Sequence, residues 1–213
     1  MFKYLLMIFL VFCIVCIILN KLYKIHYFKL LLFIVLSIIY GILSTKIMSW
    51  IESGNFTGTS FYGAIFLIPI FVLIFSMIFK VENWKLFNLS AFLGMITSAV
   101  MKYRCFLYGC CGGKKVPIVT EYGYLTFPSQ IAEMIFAIIV FIILTILFFR
   151  KKERKDLYPI MMIIYGVGRF ILNSYRLVKP VFGFMALGHL WSILSVFIGV
   201  VWLLLMSVNC KNI

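Results

Sequence analysis

The stretch from residue 101 to residue 133, MKYRCFLYGCCGGKKVPIVTEYGYLTFPSQIAE, contains the densest mixture of reactive side chains in this chain. It has two cations near its start, Lys102 and Arg104, and a carboxylate at its end, Glu133. A cation can bind an anionic group, and a thiol can act as a nucleophile or as a metal ligand. The thiols of this stretch are Cys105, Cys110 and Cys111.

The spacing of these three cysteines allows several interpretations. A zinc site usually needs four ligands with room between them, and adjacent cysteines rarely bind one ion together. A redox pair or a disulfide requires an oxidising compartment, and no pairing can be assigned from spacing. Cysteines also serve as small side chains at crowded helix ends. The sequence favours a structural or incidental role and leaves the metal and redox alternatives open.

The rest of the chain must position this stretch within a membrane. Hydrophobic residues make up 65% of the 213 residues and charged residues only 12%, whereas about a quarter of a soluble domain is charged. We therefore predict an all-α integral membrane protein of about seven transmembrane helices. It forms a single polytopic domain, 1–213, with a polar, cationic internal cavity. The predicted spans are approximately 2–20, 30–50, 61–79, 86–104, 128–149, 158–176 and 187–207.

The net charge of +14 is interpreted as a topology signal and as attraction to anionic lipid, and no nucleic-acid partner is expected. One side of the seven-span arrangement collects Lys21, Lys24, Lys29, Lys80, Lys85, Arg150, Lys151, Lys152, Arg154, Lys155 and Lys211. The other side has Lys3, Lys46, Lys102, Arg104, Lys114, Lys115, Arg176 and Lys179. The positive-inside rule therefore predicts an external N-terminus and a cytoplasmic C-terminus. The first span lacks a small-residue cleavage site and is predicted to be retained.

Two ionisable residues lie within predicted spans, Glu133 in the fifth and Arg169 in the sixth. Each costs about 2.5–3.5 kcal/mol at the centre of a span and is expected to face the bundle interior. Tyr165, Arg169, Asn173 and Arg176 are spaced by four, four and three residues and so share one helical face. One interpretation is a Glu133–Arg169 salt bridge that only fixes helix packing. The other is a cationic cavity for a phosphate head group, since arginine binds phosphate with a bidentate fork.

A series of short motifs along the chain resembles the prolipoprotein diacylglyceryl transferase family of bacterial membrane enzymes. The motifs lie in the family's order and cover roughly residues 55 to 195. They are residues 59–63 (TSFYG), 84–88 (WKLFN), 101–113 (MKYRCFLYGCCGG), 127–133 (FPSQIAE), 165–176 (YGVGRFILNSYR) and 188–192 (GHLWS).

The resemblance implies a seven-helix protein of the bacterial plasma membrane that moves the diacylglyceryl group of phosphatidylglycerol to the thiol of a lipobox cysteine in a precursor protein. The products are a thioether and glycerol 1-phosphate, and no cofactor or metal is required. The residues that the motifs assign to catalysis are Arg169, Lys102 and Tyr62. Those assigned to substrate binding are Arg104, Gln130, Glu133, Tyr165, Asn173, Arg176 and His189.

Four positions depart from the family pattern. They are Lys102 in place of an arginine, Tyr62 and Phe127 in place of histidines, and Asn173 in place of a glutamate. Lys102 keeps the positive charge but loses the bidentate fork. Arg104 lies about 200° around the helix from Lys102. It can therefore replace the family's arginine only if the register of the helix shifts. The segment 113–128 is also shorter than in typical members.

Three functions remain as alternatives. The first is the diacylglyceryl transferase itself. The second is a divergent family member that binds anionic phospholipid but has a different acceptor, or acts as an inactive accessory in lipoprotein maturation. The third is a small transporter with Arg169 and Glu133 as its translocation site, although transporters often show an internal repeat of their spans and none is visible here.

Overall fold

The computed structural model describes residues 2–56, 58–120, 123–150, 154–178, 180–181, 183 and 185–211. Within these residues the chain forms seven helices and one two-stranded sheet. In chain order they are α1 (Phe2–Tyr23), α2 (Tyr27–Ser53), α3 (Phe61–Phe79), α4 (Asn83–Leu107), β1 (Lys115–Thr120), β2 (Gly123–Thr126), α5 (Ser129–Arg150), α6 (Leu157–Ser174) and α7 (Leu187–Lys211).

The helices account for the membrane character of the protein. In the part of the chain that the structure describes, six helices, α2 to α7, are long and apolar enough to cross a bilayer. The described apolar part of α1, Leu6–Lys21, is shorter. The prediction of an α-helical, multi-pass membrane protein is confirmed. Its orientation and the type of membrane stay predictions.

The observed helices differ from the predicted spans mainly at their ends. Helix α3 has the predicted bounds, whereas α2 and α4 extend further at both ends. The prediction counted apolar runs, but a helix continues through polar residues once it leaves the hydrocarbon. Helix α6 ends earlier than predicted, at Ser174, because Arg176 forms an isolated antiparallel bridge with Gly113.

A small β-hairpin lies between α4 and α5, where only a loop was predicted. Strands β1 and β2 are antiparallel, with Lys115 opposite Thr126 and Thr120 opposite Gly123. The sequence of β1, KVPIVT, is rich in β-branched residues. The two strands of the hairpin are short and lack a continuous apolar pattern. The apolar runs that predicted the membrane spans therefore did not predict these strands.

Helix α4 is the central element of the bundle. It packs against α1, α3, α5 and α6, and twelve of its 25 residues are buried. Buried polar groups connect its neighbours: Asn88 donates to Tyr23 of α1 at 2.9 Å, and Tyr158 of α6 donates to the carbonyl of Ile65 in α3 at 2.8 Å. Helix α4 therefore brings Lys102 into the bundle near one end, and the cysteine-containing turn follows that end.

Glycines allow two helix pairs to approach closely. A Cβ at Gly63 of α3 would collide with the backbone of Ser44 in α2. A Cβ at Gly166 of α6 would lie 2.8 Å from the carbonyl oxygen of Ser192 in α7. Close backbone approach at small residues is a common means of packing membrane helices. These contacts place the inward faces of α3, α6 and α7 around a common centre.

Candidate functional site

Four charged residues from three parts of the chain meet inside the bundle. Glu133, in the second turn of α5, is only 4% exposed and pairs with three cations. Its carboxylate lies 2.5 Å from Nζ of Lys102 in α4 and 3.4 Å from Nε of Arg176, which follows α6. It also contacts Nη1 of Arg169 in α6. Three cations and one carboxylate leave this cation cluster with a surplus of positive charge.

Both sequence interpretations of Glu133 and Arg169 have a counterpart in this geometry. The two residues do form an ion pair, but the pair belongs to a cluster with more cations than carboxylates. Among the residues that the structure describes, the buried Nε of Arg169 and Nδ2 of Asn173 have no hydrogen-bond acceptor. A buried donor without an acceptor costs about 1–3 kcal/mol. The cluster is therefore suited to an anion that accepts several hydrogen bonds.

Two tyrosines approach the cation cluster from the side of α3 and α6. The hydroxyl of Tyr62 lies 2.5 Å from Oγ of Ser192 in α7, and both side chains are buried. The ring of Tyr62 is 6.0 Å from that of Tyr165, one helical turn before Arg169. Both tyrosines interact electrostatically with Arg169. The structure thus brings the three predicted catalytic residues, Tyr62, Lys102 and Arg169, around one interior region.

Two polar side chains at the start of α5 hold the cysteine-containing turn. Oγ of Ser129 donates to the carbonyl of Cys111 at 2.6 Å, and Nε2 of Gln130 donates to the carbonyl of Cys110. Gln130 was predicted to bind substrate. In this structure its amide group positions the backbone of the turn, and its role in binding substrate stays a prediction.

The three cysteines of the sequence motif converge after α4. Their Sγ atoms all lie within 4.8 Å of one another. Cys105 is half-buried, whereas Cys110 and Cys111 are exposed. A hydrogen bond from the Cys105 thiol lowers the pKa of Cys111 to about 5, and the nearby charges of Lys102 and Arg176 also favour its thiolate. The thiol cluster, Cys105, Cys110 and Cys111, therefore lies beside the cation cluster.

His189 connects the start of α7 to the end of α6. Its Nδ1 accepts from the backbone N–H of Ala186 at 3.1 Å, and its Nε2 lies 3.3 Å from Oγ of Ser174. The amide of Asn173 lies close to Gly188, where a Cβ would be 2.7 Å from Nδ2. These contacts hold the segment that carries Asn173 and Arg176 against α7.

Arg104 has a different environment from the other predicted cations. Its guanidinium lies 5.4 Å from the ring centroid of Tyr108. The described ion pairs of Glu133 are with Lys102, Arg169 and Arg176, which lie on the Lys102 side of α4. This separation agrees with the predicted angle of about 200° between Lys102 and Arg104.

Sequence reasoning missed Glu52 and Ser192 as part of this interior. Glu52, near the end of α2, accepts a hydrogen bond from Ser60 at 2.6 Å and interacts electrostatically with Arg169. In the sequence Glu52 is the first residue of a polar stretch, ESGNFTGTS, whose composition is typical of a loop. Only the packing of α2 against α3 shows that this carboxylate lies near Arg169.

An apolar cavity of about 410 Å³ lies beside the site. Residues of α2, α3, α6 and α7 line it, including Ile51, Phe66 and Trp191. The rings of Phe66 and Trp191 are 5.9 Å apart, and Phe66 also stacks on Tyr62 at 5.9 Å. The predicted cavity was polar and cationic. In the structure the cations pair with Glu133, and the cavity next to them is apolar.

A sequence model of the family described as prolipoprotein diacylglyceryl transferase matches residues 2–205. The chain belongs to the prolipoprotein diacylglyceryl transferase family. The resemblance seen in the short motifs is therefore confirmed over nearly the whole chain.

Relatives in this family include two proteins named phosphatidylglycerol–prolipoprotein diacylglyceryl transferase. The one from Clostridium tetani is 31% identical over 140 residues, which cover 59% of this chain and 53% of the relative. The one from Francisella tularensis subsp. tularensis is 30% identical over 98 residues, which cover 41% of this chain and 37% of the relative. The chain spans about half or less of the length of these relatives.

The family's motifs come together in space. The motif in α4 supplies Lys102, the motif at the start of α5 supplies Glu133, and the motif in α6 supplies Arg169. The motif at the start of α3 supplies Tyr62, which meets Ser192 from the motif in α7. These separate stretches of a transferase-family sequence therefore surround one charged interior site.

Proposed function

We propose that this protein transfers the diacylglyceryl group of phosphatidylglycerol to the thiol of a lipobox cysteine in a lipoprotein precursor, in the bacterial plasma membrane. The observation that supports this most directly is the convergence of Lys102, Arg169 and Arg176 on Glu133. Membership of the family and the names of its relatives point to the same activity. The proposed orientation has the N-terminus outside and the C-terminus in the cytoplasm.

In this proposal the cation cluster binds the phosphate of the lipid. The cluster has an excess of cations, and Nε of Arg169 and Nδ2 of Asn173 are buried donors without described acceptors. Arginine can donate two parallel hydrogen bonds to phosphate oxygens. The acyl chains then lie toward the apolar cavity of about 410 Å³ beside Trp191. The lipid enters from the bilayer because the bundle lies within it.

The reaction forms a carbon–sulfur bond and breaks a carbon–oxygen bond. The acceptor thiol releases its proton to water, and its sulfur attacks the glycerol carbon that bears the phosphate ester. The ester oxygen leaves with the bonding electrons as part of glycerol 1-phosphate. Negative charge grows on that oxygen, so fixed cations such as Arg169 and Lys102 stabilise the transition state. Ser192 donates to the carbonyl of Gly188 and accepts from the hydroxyl of Tyr62, so it holds the Tyr62 ring beside this region.

The departures from the family pattern support a second candidate, a relative that binds phosphatidylglycerol but uses a different acceptor. Tyr62 and Phe127 stand where the family has histidines, and neither is a strong base. A substrate that reaches the site already ionised would need no such base. The acceptor is therefore the part of the proposal that most needs a direct test.

The test is a transfer assay with the full chain in nanodiscs, labelled phosphatidylglycerol and a lipobox peptide with one cysteine. We expect lipidated peptide and glycerol 1-phosphate, and no product from the cysteine-to-serine peptide. Arg169→Lys keeps the charge but loses the fork, and it should slow transfer by about 10²–10³-fold. Arg150→Lys, at the exposed far end of α5, is the matched control and should keep normal activity.

Three outcomes are informative. Product formation that is unaffected by Arg169→Lys would contradict the role of the cation cluster. Bound phosphatidylglycerol without product would support the second candidate with another acceptor. A protein that shows a normal cooperative unfolding transition, but neither binds phosphatidylglycerol nor transfers its diacylglyceryl group, would overturn both candidate functions.

A further inference from the structure

We propose that Cys105, Cys110 and Cys111 bind one zinc ion, whose fourth coordination position takes the acceptor thiol. The metal site stands on the geometry of the thiol cluster. The role of the open position rests on the transferase function proposed above. The sequence left a metal site as one alternative for these cysteines, whereas the family resemblance implied that no metal is required.

The distances between the sulfur atoms fit a zinc ion. The three Sγ atoms lie within 4.8 Å of one another. In a tetrahedral zinc site with Zn–S bonds of about 2.3 Å, neighbouring sulfurs are about 3.8 Å apart. Small side-chain rotations therefore suffice to close the cluster around one ion. Three sulfur ligands with an open fourth position are the ligand number of a reactive zinc site rather than a closed structural one.

The backbone explains how two adjacent cysteines can contribute to one site. Cys111 has a φ of +63°, in the left-handed region, and Gly109 has the same φ. A left-handed conformation is strained for a residue other than glycine. The resulting tight turn folds Cys110 and Cys111 back toward the end of α4, where Cys110 Sγ approaches the Cys105 carbonyl at 3.5 Å.

Helix α5 fixes this turn before any ion binds. Ser129 and Gln130 donate to the carbonyls of Cys111 and Cys110. A preorganised set of ligands lowers the cost of binding because less motion is lost. Glu133 follows Ser129 by four residues, or about 6 Å along the helix. The zinc ion would therefore lie about one helical turn from the cation cluster.

The open position on zinc would replace the base that this chain lacks at the two positions where the family has histidines. A thiol that binds zinc loses its proton, because the ligand is the thiolate. The acceptor would then need no base at Tyr62 or Phe127. Three thiolates and one zinc ion carry one negative charge, and a bound acceptor thiolate adds another. Lys102 and Arg176, whose charges act on Cys111, offset this negative charge.

The chemical step balances without an oxidant or reductant. The acceptor thiol releases its proton to water as its sulfur binds zinc. A sulfur lone pair then attacks the glycerol carbon, the carbon–oxygen bond breaks, and glycerol 1-phosphate leaves with the electron pair. The product is a neutral thioether, a weaker zinc ligand than a thiolate, so it dissociates and frees the position. Exposure of Cys110 and Cys111 gives a protein substrate access to the ion.

The first experiment measures metal binding alone. The reduced full chain in detergent is treated with a chelator, desalted, and titrated with zinc against a chromophoric competitor, with cobalt(II) as a spectroscopic substitute. We expect one zinc per chain and the absorption of tetrahedral cobalt thiolate. The triple variant Cys105→Ser, Cys110→Ser, Cys111→Ser should lose the zinc binding and the cobalt absorption. The control Cys13→Ser, in α1, should keep both. Equal zinc binding by the triple variant would overturn the site.

The second experiment tests the open position. A lipobox peptide should change the cobalt spectrum of the protein, and the same peptide with serine for cysteine should not. Zinc should restore transfer to the chelated protein at least tenfold, and the triple variant should not respond although it still binds phosphatidylglycerol. Full transfer by the chelated protein would overturn the zinc role while leaving the transferase intact. Zinc binding without any transfer would instead count against the proposed function alone.

Discussion

Ser129, the first residue of α5, donates its hydroxyl to the carbonyl oxygen of Cys111 at 2.6 Å. The same helix carries Glu133, four residues later, which pairs with Lys102 at 2.5 Å. One helix end therefore sets the positions of both the thiol cluster and the cation cluster. The two groups of residues act as one structural unit.

We expect Ser129→Ala to loosen the cysteine turn without unfolding the bundle. Residues that orient metal ligands typically change affinity by 10–100-fold when they are lost. Zinc affinity should therefore fall by at least tenfold, as measured by competition with a chromophoric chelator. Ser207→Ala, whose hydroxyl bonds only within α7, is the control and should leave the affinity unchanged. Unchanged zinc affinity in Ser129→Ala would show that the turn holds its shape without this hydrogen bond.

Glu133→Gln should strongly destabilise the protein. The substitution removes the carboxylate that pairs with the buried Arg169 and with the half-buried Lys102 and Arg176. Loss of one partner of a buried ion pair costs about 3–5 kcal/mol. Thermal and denaturant unfolding in detergent would measure this loss. Phosphatidylglycerol should partly restore the stability of the variant, because its phosphate supplies the missing negative charge.

The matched control is Glu82→Gln, at the start of α4. Glu82 pairs with Lys85 at 2.6 Å but is 58% exposed. Hydrogen bonding to Lys85 lowers the pKa of Glu82, but an exposed pair contributes only about 0–1 kcal/mol. Similar destabilisation by Glu82→Gln and Glu133→Gln would contradict the central place of the cation cluster.

Substitutions of Lys102 should separate the need for charge from the need for geometry. Lys102→Met removes the cation and should weaken binding of phosphatidylglycerol by about tenfold or more, since a charge-assisted hydrogen bond contributes roughly 1.5–3 kcal/mol. Lys102→Arg keeps the charge and restores the fork of the family pattern, so binding should be equal or tighter. Native mass spectrometry of the retained lipid would measure both. Normal retention in Lys102→Met would place the phosphate elsewhere.

Gly63→Ala should disrupt the packing of α2 against α3. The new Cβ would collide with the backbone of Ser44, which cannot move as a side chain can. We expect a loss of about 1–3 kcal/mol in the free energy of unfolding, together with reduced transfer because Tyr62 shifts with Gly63. Gly41→Ala in α2 is the control, since its Cβ would have nothing within 4 Å. That variant should be neutral or slightly more stable, because alanine is a better helix former than glycine.

The long apolar runs made the helices predictable from the sequence. Polar residues inside those runs also indicated the face of α6 that carries Tyr165 and Arg169. This was possible because burying a charge in a bilayer is so costly that such residues must face the interior. The pairing of Glu133 with Arg169 was one of the two interpretations that the same argument allowed.

Other features depend on contacts between distant parts of the chain and could not be predicted. Glu52 borders a polar loop in the sequence, and only packing places it near Arg169. The hydrogen bond from the Gln130 amide to the carbonyl of Cys110 joins residues that lie 20 positions apart in the chain. The convergence of the three sulfur atoms depends on the left-handed conformation of Cys111, which no local pattern indicates.

The pairing of Glu133 with Arg169 also has a consequence for how the protein is made. Glu133 lies near the start of α5 and Arg169 near the end of α6, and six residues separate the two helices. An arginine that enters the bilayer alone costs about 2.5–3.5 kcal/mol. If α5 and α6 leave the insertion machinery together as a hairpin, each charge meets its partner before it meets lipid. We therefore expect this hairpin to be the unit of membrane insertion, so that α5 waits beside the translocation channel until α6 has been synthesised.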